Sequence, residues 1–130
     1  MPAILDADAV RKKLAALPVE RFDAGNTVLR TGSSTGKLYV LHEGAVETVK
    51  DGISLGSVTE PGAVFGEISA LLDRPHTADV RALAASTFHV APRSLVQSDA
   101  TVALYVAVIM ARRIDAANRS LIEARGSLPP

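Results

Sequence analysis

The sequence predicts an α+β chain in which a run of short antiparallel strands is framed by helices. Three observations predict it. Short extended runs recur between residues 19 and 91 with glycine-bearing breaks between them, the pattern of an antiparallel sandwich or barrel. The apolar period becomes helical at both ends of this stretch, before Pro18 and after Pro92. One short helical run, Ile68 to Leu72, interrupts the strands and opens on Gly66-Glu67.

The first element is a helix over residues 3–17, with Asp6 as its N-cap and Val10, Leu14 and Leu17 at helical spacing; Pro18 stops it. Arg11, Lys12 and Lys13 fall late in this helix, where cations suit the carbonyl end, and read as a solvated face rather than a nucleic-acid patch. Extended runs follow at 19–22, 27–30, 37–42, 45–50 and 53–58, then a short apolar approach at Ala63-Val64-Phe65, then runs at 77–83 and 86–91. Their breaks are Ala24-Gly25-Asn26, residues 32–36, Glu43-Gly44 and Asp51-Gly52. The last predicts a two-residue type I′ hairpin, whose central residues both need positive φ. Pro92 opens a short helix to about Gln97, and Ser98 or Asp99 caps a long one over 100–125, ended by Gly126 with Pro129-Pro130 beyond. Along it Ala107, Met110, Ile114, Ala117, Leu121 and Ala124 alternate three and four apart. This heptad-like seam packs either on the chain's own strands or against a second copy. Arg112, Arg113, Asp115, Asn118, Arg119 and Glu123 mostly fall off it.

Composition narrows the function classes. The chain has 130 residues, enough for one domain with a core, and 48% of them are apolar, which excludes disorder. The 14 basic and 14 acidic residues cancel, so no net field draws the chain to nucleic acid or an anionic membrane. It has no cysteine, hence no disulfide, thiolate metal site or cysteine nucleophile. Met1 to Lys13 lacks a signal-peptide core, and residues 101–111, the most apolar run, are too short to span a bilayer. A cytoplasmic protein is expected, without a membrane or nucleic-acid partner.

Two motifs mislead. Gly32-Ser33-Ser34-Thr35-Gly36 fits the G-x-S-x-G pattern, but that elbow joins a strand to a helix, and here a strand-like run follows. Gly36-Lys37 faintly resembles a P-loop, with one residue too few between its glycines and Leu38 where magnesium needs a hydroxyl. His42, His76 and His89 show no ligand spacing, so no metal is expected; His42 and His89 read as strand residues with ordinary partners. No nucleophile, base and orienting group come together, and an enzyme is not expected.

The chemistry concentrates in residues 61–80, PGAVFGEISALLDRPHTADV. A turn at Pro61-Gly62 leads through an apolar approach to a glycine at the mouth of a short helix, with an acid in its first turn. The unpaired N–H groups of a helix start suit a phosphate, and a glycine there allows close approach. A carboxylate beside a phosphate makes sense if it accepts hydroxyls of the same molecule, such as those of a ribose.

Phe65-Gly66-Glu67, six residues, an Arg/Pro turn and then Thr77-Ala78-x-Val80 resemble the phosphate-binding cassette of the cyclic nucleotide-binding domain family, and the resemblance extends from about Glu20 to about Arg125. It implies an eight-stranded antiparallel β-roll, jelly-roll-like, with an N-terminal helix, a short cassette helix and a long C-terminal helix. Residues 1–18, 19–91 with the cassette at 62–80, and 92–126 would form these parts of a single domain. Relatives that regulate transcription carry a helix-turn-helix domain after the long helix; only Gly-Ser-Leu-Pro-Pro follows Arg125, so a stand-alone domain is expected. The resemblance implies that Glu67 receives the ribose 2′-hydroxyl and that the N–H groups of Gly66, Glu67 and Ile68 meet the cyclic phosphate. Thr77 and Ala78 would lie near phosphate and base, with Phe65, Ser69 and Arg74 completing the site. A threonine at position 77 favours cGMP, since its hydroxyl can bond the guanine amino group.

One residue departs from the pattern. The family places arginine where His76 stands, to pair with the phosphate through a permanent planar fork. A histidine is mostly neutral above pH 7, although a phosphate beside it favours the imidazolium. Truncating such a charged pair costs about 2–5 kcal/mol, enough to move a micromolar affinity towards millimolar. The expected function is thus a non-enzymatic regulatory or sensor module for a cyclic mononucleotide, cAMP or cGMP, bound weakly because of His76. An effector protein is its implied partner, and a homodimer through helix 99–125 is open. The alternative is a degenerate, ligand-free interaction or dimerisation module of the same fold.

Overall fold

In the computed structural model, which describes residues 5–126, two four-stranded antiparallel sheets face each other and helices cover the far side of one of them. In chain order the elements are α1 (Ala7–Ala15), β1 (Val19–Phe22), β2 (Thr27–Leu29), β3 (Lys37–Glu43), β4 (Val46–Lys50), β5 (Ile53–Val58), β6 (Val64–Phe65), α2 (Glu67–Leu72), β7 (Asp79–Ala82), β8 (Ser86–Pro92), α3 (Arg93–Ser98) and α4 (Ala100–Gly126). One sheet runs β1-β8-β3-β6 and the other β2-β7-β4-β5. The expected eight-stranded roll is thus present, with its three kinds of helix.

The layering follows from β3. Its residues Leu38 and Val40 point to one face and Tyr39 and Leu41 to the other, and all four are buried. Tyr39 and Leu41 join Phe65, Phe88 and Val90 of the same sheet and Val28, Leu29, Val46 and Val80 of the other in the core between the sheets. Phe88 sits at its centre, meeting Phe22, Tyr39 and Phe65 edge-to-face at 5.8–6.1 Å. Leu38 and Val40 face Leu17, Ala70, Val96, Val102 and Val106, which bury the helices on the outer face. The first turns of α4 therefore belong to the body of the domain, whereas every residue from 111 to 126 is exposed.

Local signals place the element ends. Asp6 caps α1, its Oδ1 accepting from the N–H groups of Asp8 and Ala9 at 3.0 and 3.2 Å. The helix begins at Ala7, later than expected, because that cap fixes the start; residues 3 and 4 lie outside the described residues. Asp99 caps α4 by accepting from Val102 N–H at 3.1 Å. Asp51 and Gly52 take φ of 51° and 76° between β4 and β5, as the type I′ hairpin requires. Gly44 has φ 122° and a Cβ there would meet Ser86 Cα at 2.6 Å, so the turn before β4 admits no side chain. The expected run at 77–83 shortens to β7, Asp79–Ala82; just before it His76 bonds the β2–β3 loop through both its N–H and its carbonyl. The expected end of α4 at Gly126 holds; Pro129-Pro130 lie outside the described residues.

Candidate ligand site

The β2–β3 loop, residues 31–36, closes over the 66–78 segment and fixes its shape. Gly32 N–H donates to the His76 carbonyl at 2.9 Å, and His76 N–H donates to the Ser33 carbonyl at 2.8 Å. Ser69 Oγ, fully buried, accepts from Gly36 N–H at 2.8 Å and shares a hydrogen with Ser34 Oγ at 2.9 Å. Ser34 and Thr35 of the apparent G-x-S-x-G motif therefore tie the loop to Ser69 and His76, and Ser33 Oγ donates to the Arg30 carbonyl within the turn. From the other side Arg93, at the start of α3, donates Nε to the Ala70 carbonyl at 2.9 Å and Nη2 to the Ser69 carbonyl at 2.6 Å, and pairs with Asp73 at 2.9 Å. These bonds add a donor to the Ser69 carbonyl, which also accepts from the Asp73 N–H, and supply one to the Ala70 carbonyl in the last turn of α2.

Gly66 precedes α2 with φ 79°, and a Cβ on it would lie 2.8 Å from the Lys37 carbonyl. The glycine is demanded by the backbone of β3 as well as by any ligand, a reason the sequence did not expose. The chain turn at Gly66 puts Glu67 beside a cavity of about 300 Å³. Seven of the nine expected site residues line it: Phe65, Gly66, Glu67, Ile68, His76, Thr77 and Ala78. The other two are placed elsewhere: Ser69 turns inward to the loop, and Arg74 is exposed and outside the lining. Leu29, Val58 and Val80, from the second sheet, supply an apolar floor, and Thr48 of the same sheet adds a hydroxyl-bearing side chain to the lining.

One further residue was not found by sequence reasoning. Arg113 of α4 reaches back to the cavity, donating Nη1 to Glu67 Oε1 at 3.2 Å and Nη2 to the Val64 carbonyl, with its guanidinium 6.0 Å from the Phe65 ring centre. It lies 46 residues from Glu67, and its position off the apolar seam was the only local signal. His76 is 4% exposed; its Nε2 is 3.3 Å from Thr35 Oγ1, and burial holds its imidazole below the usual proton affinity, against the charge of Glu67. His42 of β3 and His89 of β8 stand edge to face at 4.8 Å, and His89 also meets the Leu17 backbone. Among the described residues no group of three metal-ligating side chains forms, and no helix is long and apolar enough to cross a membrane.

A sequence model of the cyclic nucleotide-binding domain matches residues 19–98, more than half of the chain. The chain belongs to the cyclic nucleotide-binding domain family. Its resemblance to that family at Phe65-Gly66-Glu67 and Thr77-Ala78 thus falls within the matched span. Over 76 residues, 58% of this chain, it is 35% identical to the cAMP-dependent protein kinase regulatory subunit of Yarrowia lipolytica. Over 77 residues it is 34% identical to a cGMP-dependent protein kinase of Caenorhabditis briggsae. The aligned parts span only 20% and 10% of those proteins. Among solved structures, a cyclic nucleotide-binding domain from Methylobacillus flagellatus KT covers 100% of this chain and 79% of its own at a TM-score of 0.75 and 19% identity. That likeness establishes the fold, the eight-stranded roll with its C-terminal helix.

Proposed function

We propose that this chain is a non-enzymatic sensor module that binds a cyclic mononucleotide, cAMP or cGMP, in the cavity beside Glu67. The observation that carries the reading is Glu67 itself. Its carboxylate stands at a cavity of ligand size together with Gly66 and Ile68 at the start of α2 and with Thr77 and Ala78, and it pairs with an arginine of a distant helix. A ribose 2′-hydroxyl would donate to that carboxylate, the N–H groups of Gly66, Glu67 and Ile68 would meet the phosphate, and the base would lie against Thr77. The two kinase relatives are named for different nucleotides at nearly equal identity, so the preference for cGMP rests on the hydroxyl of Thr77 alone.

The mechanism is a shift between two arrangements of α4. Arg113 ties α4 to Glu67 and to the Val64 carbonyl. A ribose that takes Glu67 competes with this tie, and α4 then repositions for an effector protein or a second copy of the chain. The alternative, a ligand-free dimerisation module, is favoured by one observation: Ile114 and Leu121 of the seam are 62% and 59% exposed on the outer half of α4.

A thermal-shift titration tests the first reading. Ligand at one hundred times its Kd adds about 2.7 kcal/mol, or roughly 4 °C per kcal/mol for a domain of this size. The expected result is a saturable rise with cAMP or cGMP that Glu67→Ala abolishes. No rise with either nucleotide up to millimolar concentration leaves the ligand-free reading.

A further inference from the structure

The charges around the cavity do not provide for a phosphate. Its charged and titratable lining residues are Glu67, Arg113 and His76. Glu67 and Arg113 face each other as an ion pair and cancel. What remains is an imidazole, 4% exposed, whose Nε2 lies 3.3 Å from the Thr35 hydroxyl. An uncharged ribonucleoside meets every polar group it needs here: Glu67 for its hydroxyls and Thr77 for its base. Its 3′,5′-cyclic phosphate adds a negative charge that only backbone N–H groups and a neutral ring would face.

We infer that His76 is the specificity-determining residue of this site, its protonation deciding whether the cyclic phosphate adds to the binding of the nucleoside part. This rests on the reading of the cavity as a nucleotide site. A phosphodiester keeps its single negative charge throughout the pH range of imidazole, so the proton must come to His76. The surroundings allow this to be reversible. On α2, Glu67 favours the imidazolium, while burial opposes it. On α4, Arg113 would oppose it; Glu67 holds this arginine until a ribose takes the carboxylate, and Arg113 then moves away with α4. In the segment of His76 itself, Asp73 is paired with Arg93, and Arg74 is exposed. On β7, Asp79 accepts from Thr31 N–H. The β2–β3 loop has no charged side chain at 31–36, with Arg30 and Lys37 exposed at its ends. The net result is a group that is neutral alone and takes up a proton with the anion.

The test is isothermal titration of the folded protein with cGMP, cAMP, guanosine and adenosine at about pH 5.5 and about pH 8, on wild type, His76→Arg and His76→Gln. In wild type the cyclic nucleotides gain affinity on acidification, by at most about tenfold per pH unit for one linked proton, while the nucleosides do not change. His76→Arg binds cyclic nucleotides tightly at both pH values, and His76→Gln binds them weakly at both. Three outcomes overturn the inference: equal cyclic-nucleotide affinity at both pH values in wild type, the same gain for the nucleosides, or His76→Gln matching wild type at low pH. In the last case another cation, Arg113 or Arg74, carries the phosphate. If neither wild type nor His76→Arg binds any of the four compounds at either pH while circular dichroism reports a folded chain, the nucleotide site itself falls, and the inference with it.

Discussion

Ser69 and His76 show how a residue named for a ligand can first serve the fold. Ser69 is fully buried, and its hydroxyl meets the Gly36 N–H and the Ser34 hydroxyl. Removing it leaves a loop N–H without a partner, which costs about 1–3 kcal/mol. Ser69→Ala is therefore expected to lower the urea midpoint accordingly and to speed hydrogen exchange at Gly36; an unchanged midpoint would mean that water replaces the hydroxyl. For His76 the effect is one of pH. Its proton affinity in the folded chain lies below the ordinary value of 6.5, mainly through burial, and so does that of His89, through burial and then the charge of His42. An unfolded chain thus binds more protons below pH 6.5, and stability falls as pH drops from there towards the depressed folded values. Urea midpoints between about pH 7.5 and about pH 5.5 are expected to fall less in His76→Gln than in wild type, because one of the two histidines no longer contributes. None of this was legible in the sequence. The spacing of Ser69 and His76 reports their place in the cassette, whereas their burial depends on a loop more than thirty residues earlier.

At the scale of elements, what could be read was what is local. Asp51-Gly52, the caps at Asp6 and Asp99, and the glycine entering α2 each encode a backbone geometry within a few residues. The strands of the roll were legible from their breaks, although β7 begins later than its apolar pattern because His76 pairs with Ser33. The α4 contact could not be read, since helix periodicity assigns Arg113 only to a side away from the seam. Yet it joins three elements: α4 itself, β6 through the Val64 carbonyl, and α2 through Glu67. If this tie competes with ligand, Arg113→Gln frees Glu67 and raises the affinity for cyclic nucleotide severalfold, while weakening the coupling of ligand to α4. Titration calorimetry gives the first quantity, and a fluorophore near residue 120, read with and without nucleotide, gives the second. A loss of affinity in Arg113→Gln would instead make the arginine a ligand contact.

For the molecule as a whole, α4 divides the labour. Val102 and Val106 are almost fully buried against the outer face of the β1-β8-β3-β6 sheet, with Tyr105 bonded to the Gly62 carbonyl at the turn entering the cassette. From residue 111 the same helix runs on for about 24 Å at 1.5 Å per residue with every side chain exposed. Such a helix alone in water is marginal. Its apolar residues at three- and four-residue spacing and the Arg119–Asp115 pair at 3.0 Å offer a second copy a seam with charged flanks. If the seam pairs, Ile114→Glu breaks the dimer without touching the roll, because Ile114 is 62% exposed and outside both core clusters. Sedimentation equilibrium is expected to give a dimer for wild type and a monomer for Ile114→Glu, with helical signal lost from the outer half of α4 and the urea midpoint of the roll retained. A monomeric wild type at all concentrations would instead assign the exposed face to an effector protein, and the coupling through Arg113 would then act on a binding surface within one chain.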